Sequence, residues 1–302
     1  MKQAVWHIAA IAVAIIWGVT FVSSKVLLGH GLTPSEIMVI RFIIAYIFIL
    51  PFSIYKMKSK GVGLRHRFCD TLKDEIWMMM LGLSGGSLYF LFENTALVYT
   101  QASNVSIILT ATPLLTMIAS AIFFPKKNSV RPKAFLYSAI ALAGVAAVVL
   151  NGNLVLKLHP MGDILTLCAS ACWVIYTFIL LKFDGKYSTT MITRKVFLYG
   201  VLTMLPIFLL KPWQTSLQTL ANGAVWGNLL FLGGIASFAC FYIWNEALKK
   251  IGGVKANNYL YINPLATSIF AVPILHERLT WISILGAVLI IGGMYFASKH
   301  SK

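Results

Sequence analysis

Two ionisable side chains stand where water is scarce. Arg41 lies inside the apolar run 34–55, and Glu93 inside the run 76–99. A charge in hydrocarbon costs about 3 kcal/mol or more, so such residues line a pathway, pair with each other or reach back to the interface. If both runs are helices, Arg41 is seven residues in from Pro34 and Glu93 six residues short of Tyr99. At helical rise both lie about 9–10 Å deep. The two can form an ion pair, structural or otherwise, or both can face a cavity. Amides accompany them: Asn94, Asn245 and Asn258 sit in apolar runs, as do Asn257 and Asn263. In lipid each must hydrogen-bond to a neighbouring helix or to substrate and water. Trp17, Tyr89, Trp173 and Tyr242 lie deep, with Tyr176 nearby. Together they could form an aromatic cavity for flat or apolar solutes. Taken singly, lipid contact or core packing explains each equally well.

Other chemistry is poorly supplied. Cys168 and Cys172 share a helix face, but no second ligand pair joins them, so packing is the reading and no metal site is expected. No cofactor motif is present either. The chain lacks a G-x-x-x-x-G-K-S/T loop, so ATP does not drive it directly, and it lacks an H-E-x-x-H pair. It is therefore not expected to be an enzyme. An intramembrane enzyme acting on a small or lipid substrate is the alternative, and it would need a nucleophile and base converging on the buried polar residues.

The elements that hold these residues are set by hydropathy. Hydrophobic residues make up 59% of the 302 and charged ones 11%, against roughly a quarter in soluble domains, so lipid is the natural solvent. Ten runs are long enough to span: 4–25, 34–55, 76–99, 102–124, 134–151, 162–181, 195–210, 225–248, 256–275 and 280–298. The first contains Trp17 and no evident cleavage site, and reads as a retained helix. With the N-terminus inside, 20 Lys and Arg fall on the cytoplasmic side and 4 on the other, with Arg41 within a span. That bias puts both termini in the cytoplasm. The formal charge of +16 then reflects topology, and nucleic acid is not an expected partner.

The halves repeat. Asn94-Thr95-Ala96-Leu97 with Pro113-Leu114 matches Asn245-Glu246-Ala247-Leu248 with Pro264-Leu265 at a constant offset of 151, and Trp17 matches Trp173. Residues 1–151 and 152–302 would each hold five spans. Five is odd, so the second unit must be inverted, an arrangement that places substrate at the repeat interface. Pro113 and Pro264 fall mid-span, where each removes a backbone hydrogen bond and can bend its helix, either statically or as part of a gate. Gly82 and Gly86, Gly144, and Gly286, Gly292 and Gly293 allow close helix approach, within the bundle or at a homodimer seam.

Trp17-Gly18-x-x-Phe21, Arg41-Phe42, and Ala96-Leu97-x-Tyr99-Thr100-x-Ala102 leading to Pro113 resemble an EamA repeat. Gly162-Asp163, Trp173, Asn263-Pro264-Leu265 and Glu277-Arg278-Leu279, with Gly286 and Gly292, carry the likeness in the second half. Nearly the whole chain resembles a ten-helix member of the drug/metabolite transporter superfamily. The resemblance implies an all-α membrane fold of two inverted five-helix repeats. It also implies export of amino acids, related metabolites or drugs through a central cavity. Lys126 stands at the offset of Glu277, so that acidic turn has no symmetric counterpart. A small-molecule substrate and the bilayer are the expected partners, with proton coupling through acidic residues in spans as one driving force. Short basic loops suit a bacterial inner membrane.

Overall fold

The computed structural model describes residues 2–59, 68–123, 132–150, 160–275 and 281–300. Every regular element among them is helical. In lipid this is dictated by the backbone, whose polar groups must be satisfied within each segment. The first span is α1 (Lys2–Gly29) and the second α2 (Pro34–Ser59). The third is continuous over Leu72–Tyr99: α3 (Leu72–Gly82), a π-helical segment Leu83–Leu88, and α4 (Tyr89–Tyr99). The fourth comprises α5 (Ala102–Ile108) and α6 (Ala111–Phe123), and α7 (Pro132–Leu150) follows. The second half runs α8 (Pro160–Lys182), α9 (Thr189–Met204), and the short turns α10 (Ile207–Leu210) and α11 (Leu217–Leu220). Its third span is α12 (Gly223–Leu230), a π-helical segment Phe231–Ala239 and α13 (Cys240–Ile251). Its fourth is α14 (Gly253–Asn258), a 3₁₀ turn Tyr259–Ile262 and α15 (Asn263–Leu275), and α16 (Trp281–His300) completes it.

Among the described residues seven helices are long and apolar enough to cross a bilayer. Helices α7, α14–α15 and α16 occupy the places of the other three expected spans. The protein is thus an all-α, multi-pass membrane protein of two inverted repeats. Glu277, Arg278 and Lys126 lie outside the described residues.

The helical pattern is interrupted before both Pro113 and Pro264. Before Pro113, Thr110 and Thr112 bond back three residues, to Ile107 and Leu109, instead of four. Before Pro264 the chain tightens into the 3₁₀ turn. Proline offers no N–H, and its ring crowds the carbonyl four residues back, which is Leu109 in one repeat and Leu260 in the other, although Pro51 and Pro273 are accommodated inside continuous helices. These two leucines are 151 apart, like the prolines.

The π segments were not foreseen. They too are repeat-related, since Leu83–Leu88 plus 151 falls within Phe231–Ala239, and each holds a Gly-Gly pair. Small residues also set the helix spacing. A Cβ on Gly82 would meet Tyr199 Cβ at 2.5 Å, and one on Gly233 would meet Ile44 Cβ at 2.6 Å. Gly144 and Gly293 do the same for α7 and α16, whose backbones touch. Gly82, Gly86, Gly144 and Gly293 therefore serve packing within the bundle, whereas nothing lies within 4 Å of a Cβ on Gly292.

Side chains tie the repeats together at both ends. At the basic face Asp74 accepts from Lys186 at 2.6 Å and from Tyr187 at 2.9 Å, while Glu75 accepts from Lys195 and Tyr199. The Asp74 carboxylate holds the Lys186 ammonium, in the loop before α9, above its ordinary range. At the opposite face Glu36 of α2 accepts from Gln214 N, Thr215 N and Thr215 Oγ1, ahead of α12.

Candidate functional site

A cavity of about 450 Å³, its open mouth included, lies between the repeats. Its wall is pseudo-symmetric. Phe90 and Phe241, Leu109 and Leu260, and Thr112 and Asn263 are pairs 151 apart, and Trp17 and Trp173 form a fourth pair. The leucines come from the interrupted helices, so the two breaks flank the cavity. The two tryptophan rings meet edge to face at 5.2 Å, and Tyr89 and Phe241 pack on Trp173 at 5.0 and 5.7 Å.

Charge breaks the symmetry. Arg41 and Glu93 both line the cavity, and both come from the first repeat. Tyr89 and Glu93 correspond at the same offset to Cys240 and Trp244, neither of them acidic. Arg41 is held on its outer edge, where Nε donates to Ser237 Oγ at 3.0 Å, and its guanidinium lies 4.0 Å over Phe90. Ser237 sits in the second π segment, one residue after Ala236, whose carbonyl accepts from Trp17 Nε1 at 2.9 Å. A π turn loosens the regular carbonyl ladder, which leaves an acceptor for the indole. The absent side chain at Gly233 admits the Arg41 carbonyl, 2.9 Å from where a Cβ would stand. One glycine-rich segment thus positions both Arg41 and Trp17. The Tyr89 hydroxyl, one turn before Glu93, lies against its carboxylate.

Arg41 and Glu93 share this wall without a direct salt bridge among the described residues. One nitrogen of Arg41 (Nη1) and one oxygen of Glu93 (Oε1) are buried with no hydrogen-bond partner, as are Trp173 Nε1 and Asn263 Oδ1. All four atoms, two donors and two acceptors, belong to residues that line the cavity, and a polar ligand reaching them would satisfy groups whose unmet burial costs about 1–3 kcal/mol each.

The other expected residues lie elsewhere. Tyr176 donates to Asn245 Oδ1 at 2.6 Å, and Asn245 Nδ2 donates to Thr193 Oγ1 at 2.9 Å, a closed interhelical network away from the lining. Asn94 donates to the Pro34 carbonyl at 3.3 Å. Tyr242 accepts from Lys56 at 2.5 Å near the end of α2. Asn258 is fully buried in α14, outside the lining. Replacing Asn245 by alanine should orphan two hydroxyls and cost about 1–3 kcal/mol of stability with little change in KM. Thermal unfolding in detergent beside transport kinetics would check this, and a large KM change with an unshifted melting temperature would contradict it.

Sequence reasoning passed over Thr20, Phe90, Leu109, Thr112, Phe241 and Leu260. The offset of 151 could have found four of them as pairs. The pattern Gly82-Leu83-Ser84-Gly85-Gly86 also has the spacing of a hydrolase nucleophile elbow. It lies within a helix, however, and Ser84 donates to the Met80 carbonyl at 2.8 Å rather than projecting from a strand-to-helix turn.

A sequence model described as the EamA-like transporter family matches residues 4–150 and again 160–299. An "Uncharacterized transporter" of Archaeoglobus fulgidus is 25% identical, with 97% of this chain and 98% of that one covered. The "Probable amino-acid metabolite efflux pump" of Escherichia coli is 24% identical, with 95% and 93% covered. A solved structure titled "Crystal structure of protein" superposes with a TM-score of 0.73 at 19% identity, over 98% of each chain, and so shares the fold.

Proposed function

Because the chain belongs to the EamA-like transporter family, we propose that it is a secondary transporter of zwitterionic amino acids or related small metabolites. Residues 1–151 and 152–302 would rock against each other about the cavity, bending at the interruptions before Pro113 and Pro264. The observation that carries this reading is the pair of unpaired charged atoms, Arg41 Nη1 and Glu93 Oε1, on one aromatic-lined wall. A guanidinium reads a carboxylate, a carboxylate reads an ammonium, and rings take the apolar remainder. Because both charges come from one repeat, the solute would bind in a single orientation.

Export is the direction we infer, supported by the printed name of the Escherichia coli relative. The 20-to-4 distribution of basic residues supports a bacterial inner membrane with both termini cytoplasmic. Arg41 and Glu93 then lie in the outer half, and the Asp74 and Glu75 contacts close the cytoplasmic end. Glu93 is also where a proton would couple, since protonation cancels its charge and leaves Arg41 charged.

Proteoliposomes loaded with the twenty proteinogenic amino acids and a bacterial metabolite extract provide the test, with release followed by mass spectrometry against protein-free liposomes. Selective, saturable release of zwitterions is expected, reduced about tenfold or more by Glu93→Gln, which keeps shape and removes charge. A pH gradient should speed release by the native protein and not by the variant. Release of no solute, or equal release by Glu93→Gln, would sink this reading.

A further inference from the structure

The two repeat-related tryptophans do different work. Their rings are 5.2 Å apart and both line the cavity, yet only Trp17 has a partner for its N–H. That partner is the Ala236 carbonyl in the second π segment. The residue matching Ala236 in the first repeat is Gly85, also in a π segment, but the Tyr176 ring occupies the space beside it: a Cβ on Gly85 would fall 2.1 Å from the Tyr176 ring. Trp173 has therefore not taken the symmetric bond. Its residue is 4% exposed and its Nε1 is unpaired.

An indole N–H is a donor only, and buried donors in native proteins are nearly always met. We propose that Trp173 is a specificity-determining residue whose Nε1–H donates to a carboxylate or carbonyl oxygen of the transported solute, while Trp17 is a strut that fixes the second π segment. The assignment rests on the transport of zwitterions proposed above. It adds a neutral donor to the charged one of Arg41. Two donors from different repeats then converge on the acidic end of the solute, which sets its orientation and selects molecules with a planar oxygen acceptor.

Nitrogen-15 labelling of the eight tryptophans gives indole N–H resonances in nanodiscs, with Trp17→Phe and Trp173→Phe, or Trp173→Tyr should that variant not fold, providing the assignments. On adding an equimolar mixture of the twenty proteinogenic amino acids, the Trp173 indole proton should move downfield and the Trp17 proton should stay. Trp173→Phe should raise KM for the amino acids released in the liposome assay about threefold to tenfold, the worth of one hydrogen bond. Trp17→Phe should instead lower the melting temperature, because it orphans the Ala236 carbonyl. A static Trp173, or a Trp17 resonance that moves with it, would overturn the assignment when the same mixture is released from liposomes. A Trp173 resonance split into two populations without solute would overturn it in favour of a conformational switch. Release of none of the twenty amino acids would instead overturn the zwitterion reading beneath it.

Discussion

Replacement of Arg41 by methionine is expected to reduce transport of zwitterions about a hundredfold or more in kcat/KM. Arg41 is 1% exposed and spends Nε on Ser237, leaving Nη1 on the cavity wall without a partner. Two charge-assisted hydrogen bonds to a solute carboxylate would each contribute roughly 1.5–3 kcal/mol, and a hundredfold loss corresponds to about 2.7 kcal/mol. Methionine keeps much of the length and the contact with Phe90, so the change falls on charge more than on volume. Removing one of two buried opposite charges also strands the other, so Arg41→Met alone should lower stability. Adding Glu93→Gln should restore melting temperature without restoring transport. Liposome flux beside thermal unfolding separates these effects. Rescue of flux by the double variant would show that the charges serve the fold and not the solute.

Replacement of Gly18 by alanine is expected to cost about 1–3 kcal/mol of stability, the usual penalty for overpacking a tight contact, and to abolish transport as well. A Cβ there would lie 2.5 Å from Ala266 Cβ and 2.7 Å from the Asn263 carbonyl. Neither is the end of a flexible side chain, so α1 and α15 must separate. The Gly18 carbonyl also accepts from Thr267 Oγ1 at 2.8 Å, a bond that separation would stretch. Asn263 lines the cavity immediately before Pro264, so the same shift distorts the site. Alanine at Gly29 or Gly227, where nothing lies within 4 Å, should change neither property. An unshifted melting temperature for Gly18→Ala would show that the helices can part freely at this point.

Much of the architecture was legible in the chain because it follows from local physics. Span length and apolar content answer to bilayer thickness, whatever the neighbouring helices do, whereas Arg194 and Lys195 are buried in α9 against Ser53 and Glu75. Interruptions of the helical pattern do stand before Pro113 and Pro264, yet Pro51 and Pro273 lie inside continuous helices, so the missing N–H does not by itself decide where a helix breaks. The shared depth of Arg41 and Glu93 followed from counting residues at helical rise.

Tertiary structure alone decided which polar groups face the cavity, because that depends on helix rotation and on partners far along the chain. Asn94 and Asn245 looked as eligible as Glu93. Asn245, however, is satisfied by Tyr176 and Thr193, 69 and 52 residues away, and Asn94 donates to the Pro34 carbonyl 60 residues back. Tyr242 is turned toward Lys56 on the far side of α13. Trp17 and Trp173 are alike in sequence and repeat position, yet a carbonyl loosened by a π turn 219 residues from Trp17 occupies one indole and leaves the other free. The residues fix how many buried donors and acceptors there are; only the packed bundle determines which of them remain unpaired beside the cavity.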